Sequence, residues 1–105
     1  MVLAKTEVFE EKDIQLADIA KALAHPARIH ILRILNEMNT CMVGELVDKL
    51  PLSQSTVSQH LKELKRVGLI KGEIEGPKIC YCLDENNVSK TKADFTSLFG
   101  SFKCC

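Results

Sequence analysis

The chain has 105 residues, 46% of them hydrophobic, and its fourteen basic and fourteen acidic side chains cancel to a formal net charge of zero. That length suits a single domain, 1–105, with a core of useful size and little left over for a deep catalytic cleft. No apolar run approaches the roughly 18 residues of a membrane span, and "MVLAKTEVFEEKD" places acids where a signal peptide is apolar, so a soluble, cytoplasmic protein with no membrane partner is expected.

Residues 13–24, "DIQLADIAKALA", carry Leu16, Ile19, Ala20 and Leu23 at helical spacing, with Asp13 available as a cap. Pro26 suits the first turn of a second helix, because its missing N–H is not needed there. In that helix Ile29, Ile31, Leu32, Ile34, Leu35 and Met38 cover more than half the circumference, which predicts the centre of the core. "MVGELVDKL" predicts a short helix with Val43, Leu46, Val47 and Leu50 inward, stopped by Pro51. Only "PLS" separates it from the next helix, for which Ser53 is the N-cap and Gly68 the terminator. Two short helices and a tight turn make a helix-turn-helix at about 43–67.

After Gly68 the hydrophobic period changes to two, and "LIKGEIEG" and "KICYCL" read as a hairpin at about 69–83, a wing beside the helix-turn-helix. From about 88 to 102, Val88, Thr91, Phe95, Leu98, Phe99 and Phe102 share one helical face. A domain this small has little to cover that stripe, so a second copy of the chain is expected there. The fold class is mainly α with a small β-hairpin.

The stretch "PLSQSTVSQHLKELKRVGLI" is polar in its first half and amphipathic in its second. With Val57, Leu61 and Leu64 turned inward, Ser55, Gln59, Lys62 and Arg66 cluster on the opposite side, flanked by Ser58, with Gln54 and Thr56 at the start. Short hydroxyls and amides reach base edges and phosphates in a major groove, and the cations behind them neutralise phosphates. The plainer alternative is a capped helix start with a solvated face. The turn before it and the hairpin after it favour double-stranded DNA. The basic residues also concentrate here, although Glu73 and Glu75 leave Lys78 as the wing's main phosphate contact.

From about Leu16 to Leu83 the chain resembles the ArsR-type family of small winged-helix metalloregulatory repressors. "ALAHPARIHILRIL" looks like that family's second-helix signature, and "LSQSTVSQHLKELKRVGLI" is very similar to its recognition helix. The resemblance implies a winged helix-turn-helix homodimer joined through its first and last helices. It also implies a repressor of operator DNA released by a metal, metalloid or other thiol-reactive inducer, with no obligatory cofactor. Ser55, Thr56, Ser58, Gln59 and His60 match the recognition-helix positions. The family's C-x-C in the short third helix is represented here only by Cys41, just ahead of it. The last helix has Asp94 but no histidine, so the family's zinc site there is not expected.

Five cysteines, an odd count, argue for reduced thiols: Cys41, the C-x-C of Cys80 and Cys82, and the terminal Cys104 and Cys105. Trivalent arsenic and antimony are soft and favour thiolates, so arsenite or antimonite is the expected inducer. Strand alternation turns Ile79, Tyr81 and Leu83 to the core and Cys80 and Cys82 to the accessible face, about 6 to 7 Å apart at Cβ. Cys41 is one candidate for a third sulfur, if its segment pairs with the second wing strand. Cys104 and Cys105 are the rival, resembling vicinal thiols that some family members use with a third ligand from elsewhere or from the second subunit. Plain apolar packing of Cys41 and Cys82 beside a frayed terminus is the bland reading.

His25, His30 and His60 read as structural: a cap or turn residue, a member of a polar arc, and a neighbour of the apolar stripe. Arg28, within an apolar arc, is expected to bury its stem and pair with a carboxylate. An enzyme would need a cysteine nucleophile or a dithiol couple, and there is no C-x-x-C, no glycine-rich phosphate loop and no base beside a cysteine. The alternative that keeps the DNA-binding module is a repressor switched by thiol oxidation or persulfide.

Overall fold

The computed structural model describes residues 8–38, 50–75 and 78–104, with 73–75 and 78–79 as backbone. Among the described residues, four helices and a hairpin follow in the order α1 (Glu11–Leu23), α2 (Pro26–Met38), α3 (Gln54–Arg66), β1 (Ile70–Glu75), β2 (Lys78–Leu83) and α4 (Glu85–Gly100). The short helix expected over Val43, Leu46 and Val47, which is the first half of the helix-turn-helix, lies outside the described residues. No helix among the described residues is long and apolar enough to cross a membrane.

α1 begins two residues before Asp13. The capping position is Glu10, whose carbonyl accepts the Asp13 amide at 3.0 Å and whose side chain makes no cap. Asp13 instead stands in the first turn, where a carboxylate favours the positive end of the helix dipole. The contact face of α1 centres on Ile19, flanked by buried Ala22 and half-buried Leu23, so Ala20 falls outside it and is exposed.

Ile31, Ile34 and Leu35 of α2 meet Val57, Leu61 and Leu64 of α3 in the core, together with Leu50, Leu69 and Ile70. α2 is more one-sided than the pattern suggested. Ile29, almost opposite Ile31 on the wheel, is 38% exposed, and Met38 at the helix end is 42% exposed.

α3 stops in a Schellman motif: the Leu69 amide donates to the Leu64 carbonyl at 3.1 Å and the Gly68 amide to that of Lys65 at 3.0 Å. The buried pair Leu64 and Leu69 supplies the apolar contact of that motif. Gly68 adopts φ +86°, and a Cβ there would meet the Asn87 Nδ2 at 2.8 Å. Gly68→Ala is therefore expected to cost at least about 1–2 kcal/mol in a urea titration, from the left-handed backbone alone.

The hairpin is antiparallel, pairing Ile70 with Leu83, Lys71 with Cys82, and Glu73 with Cys80. Its β1 strand packs on α3 and its β2 strand on α2. The Asp84 amide donates to the Leu69 carbonyl at 3.0 Å, closing the base of the hairpin. Asp84 then caps α4, its carboxylate accepting from the Asn87 amide at 3.2 Å, which starts the last helix at Glu85, three residues before the expected onset. α4 has no buried residue and packs along α1.

Candidate nucleic-acid interface

Val57, Leu61 and Leu64 are 1%, 5% and 0% exposed, so α3 is anchored along the side that the i, i+4, i+7 pattern assigned. Gln54, Ser55, Ser58, Gln59 and Lys62 are exposed on the opposite side, and Thr56 is half-buried. Part of the hydroxyl cluster is devoted to starting the helix. Ser53 Oγ accepts the Thr56 amide at 3.3 Å and donates to Thr56 Oγ1 at 2.9 Å, with Ser55 Oγ 3.2 Å away. Ser58, Gln59 and Lys62 extend beyond that cap.

Two residues of the expected contact set have other partners. His60 is buried at 7% exposure and is no part of the outward face. Its Nδ1 accepts from Arg28 Nε at 3.1 Å, while Arg28 Nη1 donates to the Ala22 carbonyl at 3.1 Å. This corrects the expectation of a carboxylate for Arg28: an imidazole and the end of α1 supply its acceptors, because α3 brings His60 over the first turn of α2. The His25 ring lies 4.4 Å from that of His60, and its Nδ1 accepts the Ala27 amide at 3.1 Å, a turn role as read from the sequence. Burial, then the nearby His25 and Arg28, push the pKa of His60 below its ordinary value. His30 is exposed.

The second is Arg66. Its Nη1 and Nη2 donate to the two carboxylate oxygens of Asp18 at 2.8 and 3.0 Å, and its Nε donates to Glu63 at 2.7 Å. These hydrogen bonds hold the Asp18 and Glu63 carboxyls below their ordinary pKa values and raise that of Arg66. A guanidinium matched by two carboxylates offers no net positive charge to a phosphate. Lys62 and Lys65 are the exposed cations of α3 outside this arrangement.

The thiols separate. Cys80 is 3% exposed, Cys82 is half-buried and Cys104 is exposed. The register does place Cys80 and Cys82 on the face opposite Ile70, Tyr81 and Leu83, but the expectation that both are accessible fails for Cys80. α2 packs against β2, and a two-stranded ribbon twists too strongly for alternation alone to decide exposure. Among the described residues no three His, Cys, Asp or Glu side chains gather at metal-ligand spacing. Cys41, Cys105 and the Lys78 and Ile79 side chains lie outside the description.

The sequence reading missed the partners of Arg28 and Arg66. Histidine at position 60, beside an apolar stripe, was a usable signal for the first. Asp18 and Arg66, 48 positions apart, gave none for the second.

A family model described as "Bacterial regulatory protein, arsR family" matches residues 25–71. The transcriptional repressor SmtB of Mycobacterium tuberculosis is 42% identical over 77 residues, 73% of this chain, which spans only 56% of that protein's length. An HTH-type transcriptional regulator of Methanocaldococcus jannaschii, MJ1325, is 35% identical over 80 residues, 76% of this chain and 90% of its own. A crystal structure titled "Possible transcriptional regulator for arsenical resistance" superposes with a TM-score of 0.69 at 28% identity, over 78% of this chain and 84% of that one. The family model spans α2, α3 and the start of β1, and the matched proteins are named as regulators, not enzymes. The chain belongs to the ArsR family of bacterial regulatory proteins, with the winged helix-turn-helix fold of that family.

Proposed function

We propose that this protein is a cytoplasmic, homodimeric, operator-binding repressor that releases DNA when its cysteines take up trivalent arsenic or antimony. The observation that supports the DNA-binding half most directly is the exposed row Gln54, Ser55, Ser58, Gln59 and Lys62 on a helix fixed from behind by Val57, Leu61 and Leu64. Such a row enters a major groove with base-reading groups forward and a cation behind. Thr56 joins it at the cap, and Lys78 of the wing is the proposed flanking phosphate contact.

Dimerisation is supported by the apolar strip on α4 and the turn after it, where Leu98, Phe99 and Phe102 are 41%, 61% and 55% exposed and the Phe99 ring stacks parallel to Phe95 and meets Phe102 edge on face. A monomer gains nothing from presenting that strip to water. The inducer half is supported by the thiol content and by the arsenical-resistance title of the related structure. Cys82 and Cys104 are the reachable sulfurs among the described residues. Cys80 needs local opening, and Cys41 and Cys105 complete the candidate set.

The test is fluorescence anisotropy on a duplex enriched by the wild-type protein from a random-sequence pool. Gln59→Ala is expected to weaken binding by about 1–3 kcal/mol and to relax preference at one base pair. Lys62→Ala is expected to weaken binding to all sequences and to reduce the salt slope by about one. Arsenite is expected to release the duplex, and Cys→Ser variants of the ligating residues to abolish that release. Release by peroxide but not by arsenite under anaerobic conditions would replace metalloid sensing with thiol oxidation.

A further inference from the structure

Two polar ties run from α3 to α1, one through buried His60 and one through exposed Arg66. His60, Glu63 and Arg66 follow one another at i, i+3 and i+6 along α3, one edge of the helix. On α1 the receiving groups are the Ala22 carbonyl, reached through Arg28, and the Asp18 carboxylate, one helical turn apart. The two helices are thus joined at two successive levels.

Exposed ion pairs usually contribute little, but this one has both features of the exceptions. The Arg66 fork meets the Asp18 carboxylate with two parallel hydrogen bonds at 2.8 and 3.0 Å, and Glu63 holds the remaining Nε. Arg66 is exposed, but its Nε and both terminal nitrogens are engaged by acids of its own chain and not held ready for a phosphate. The group of three carries one negative charge in excess, unsuited to a phosphate contact.

We propose that Arg66, held by Asp18 and Glu63, is a positioning residue for DNA binding: it fixes the angle between the recognition helix and the first helix and does not neutralise a phosphate. This rests on the DNA-reading assignment of α3. The angle matters because two recognition helices must match half-sites about 34 Å apart, so freedom at the end of α3 becomes error at the groove.

The experiment uses the full chain and the duplex enriched by the wild-type protein, with Asp18→Asn and Arg66→Lys, the second keeping the charge while losing the fork. Both variants are expected to bind about tenfold more weakly, the scale of one charge-assisted hydrogen bond. The slope of affinity against salt stays as in the wild type, and both variants discriminate less against duplexes with one base pair inserted between the half-sites. Three results overturn the proposal: unchanged affinity in Asp18→Asn; tighter binding of that variant with a slope steeper by about 0.9, the mark of a freed phosphate ligand; or wild-type behaviour in Arg66→Lys. If the wild-type protein enriches no duplex at all, the DNA-reading assignment itself fails and the proposal falls with it.

Discussion

Replacing Leu64 with alanine is expected to destabilise the protein by about 2–5 kcal/mol in urea unfolding, a large share of a small domain's stability. Leu64 has no exposed surface and belongs to both the core cluster and the Schellman contact with Leu69. Truncation removes buried methyl groups, opens a cavity that the surrounding Ile31, Leu61 and Ile70 fill only in part, and loosens the stop of α3. DNA affinity is expected to fall beyond what the unfolded fraction explains, because the same side chain seats the reading helix. A Leu64→Ala protein that unfolds at the wild-type urea concentration would contradict this account of the core.

The second large effect is a dependence of stability on pH carried by His60. The pKa of the folded imidazole lies below its ordinary 6.5, chiefly because it is buried and further because His25 and Arg28 face it. The unfolded chain therefore binds the proton first as pH falls, and unfolding takes up a proton between the two values. Stability is full above about pH 6.5, declines as pH drops below that, and levels off once the folded imidazole is protonated as well. One proton limits the slope to about 1.4 kcal/mol per pH unit.

There is also a geometric reason for the decline: a protonated Nδ1 would point a donor at the Arg28 Nε–H. His60→Asn places an amide oxygen near the Nδ1 position and does not titrate. Its urea midpoint is expected to be flatter than that of the wild type from about pH 7.5 to about pH 5. Parallel profiles would remove His60 as the source. Asp18 and Glu63, with carboxyls held low by the Arg66 hydrogen bonds, keep their contributions above the ordinary carboxylate range and lose them only as pH falls through it.

Local patterns carried most of the architecture. Val57, Leu61 and Leu64 identified the inner side of α3 because a helix returns to the same side every three or four residues. Ser53 and Gly68 marked its ends because each does something few residues do, accepting an orphan amide or adopting positive φ. The change to period two announced the hairpin.

What could not be read locally depended on which elements come to lie side by side. The burial of Cys80 follows from α2 packing against β2 and not from strand alternation. The outward set of α3 was read correctly for Ser55, Ser58, Gln59 and Lys62. It also held for the exposure of Arg66 and for His60 beside the apolar stripe, but gave no sign of the partners of these two, because a helical wheel shows direction and not the neighbours waiting there. Both are residues that tie α3 to the rest of the molecule.

The clasp at the mouth of the hairpin has a mechanical consequence. Leu69 receives the Asp84 amide, Asp84 holds Asn87, and Asn87 lies against Gly68, so the exit of the recognition helix and the entrance of the last helix share one small knot. No slack chain separates them. The last helix is thereby moored to the end of the reading helix by contacts at the base of the ribbon, without recourse to its far end.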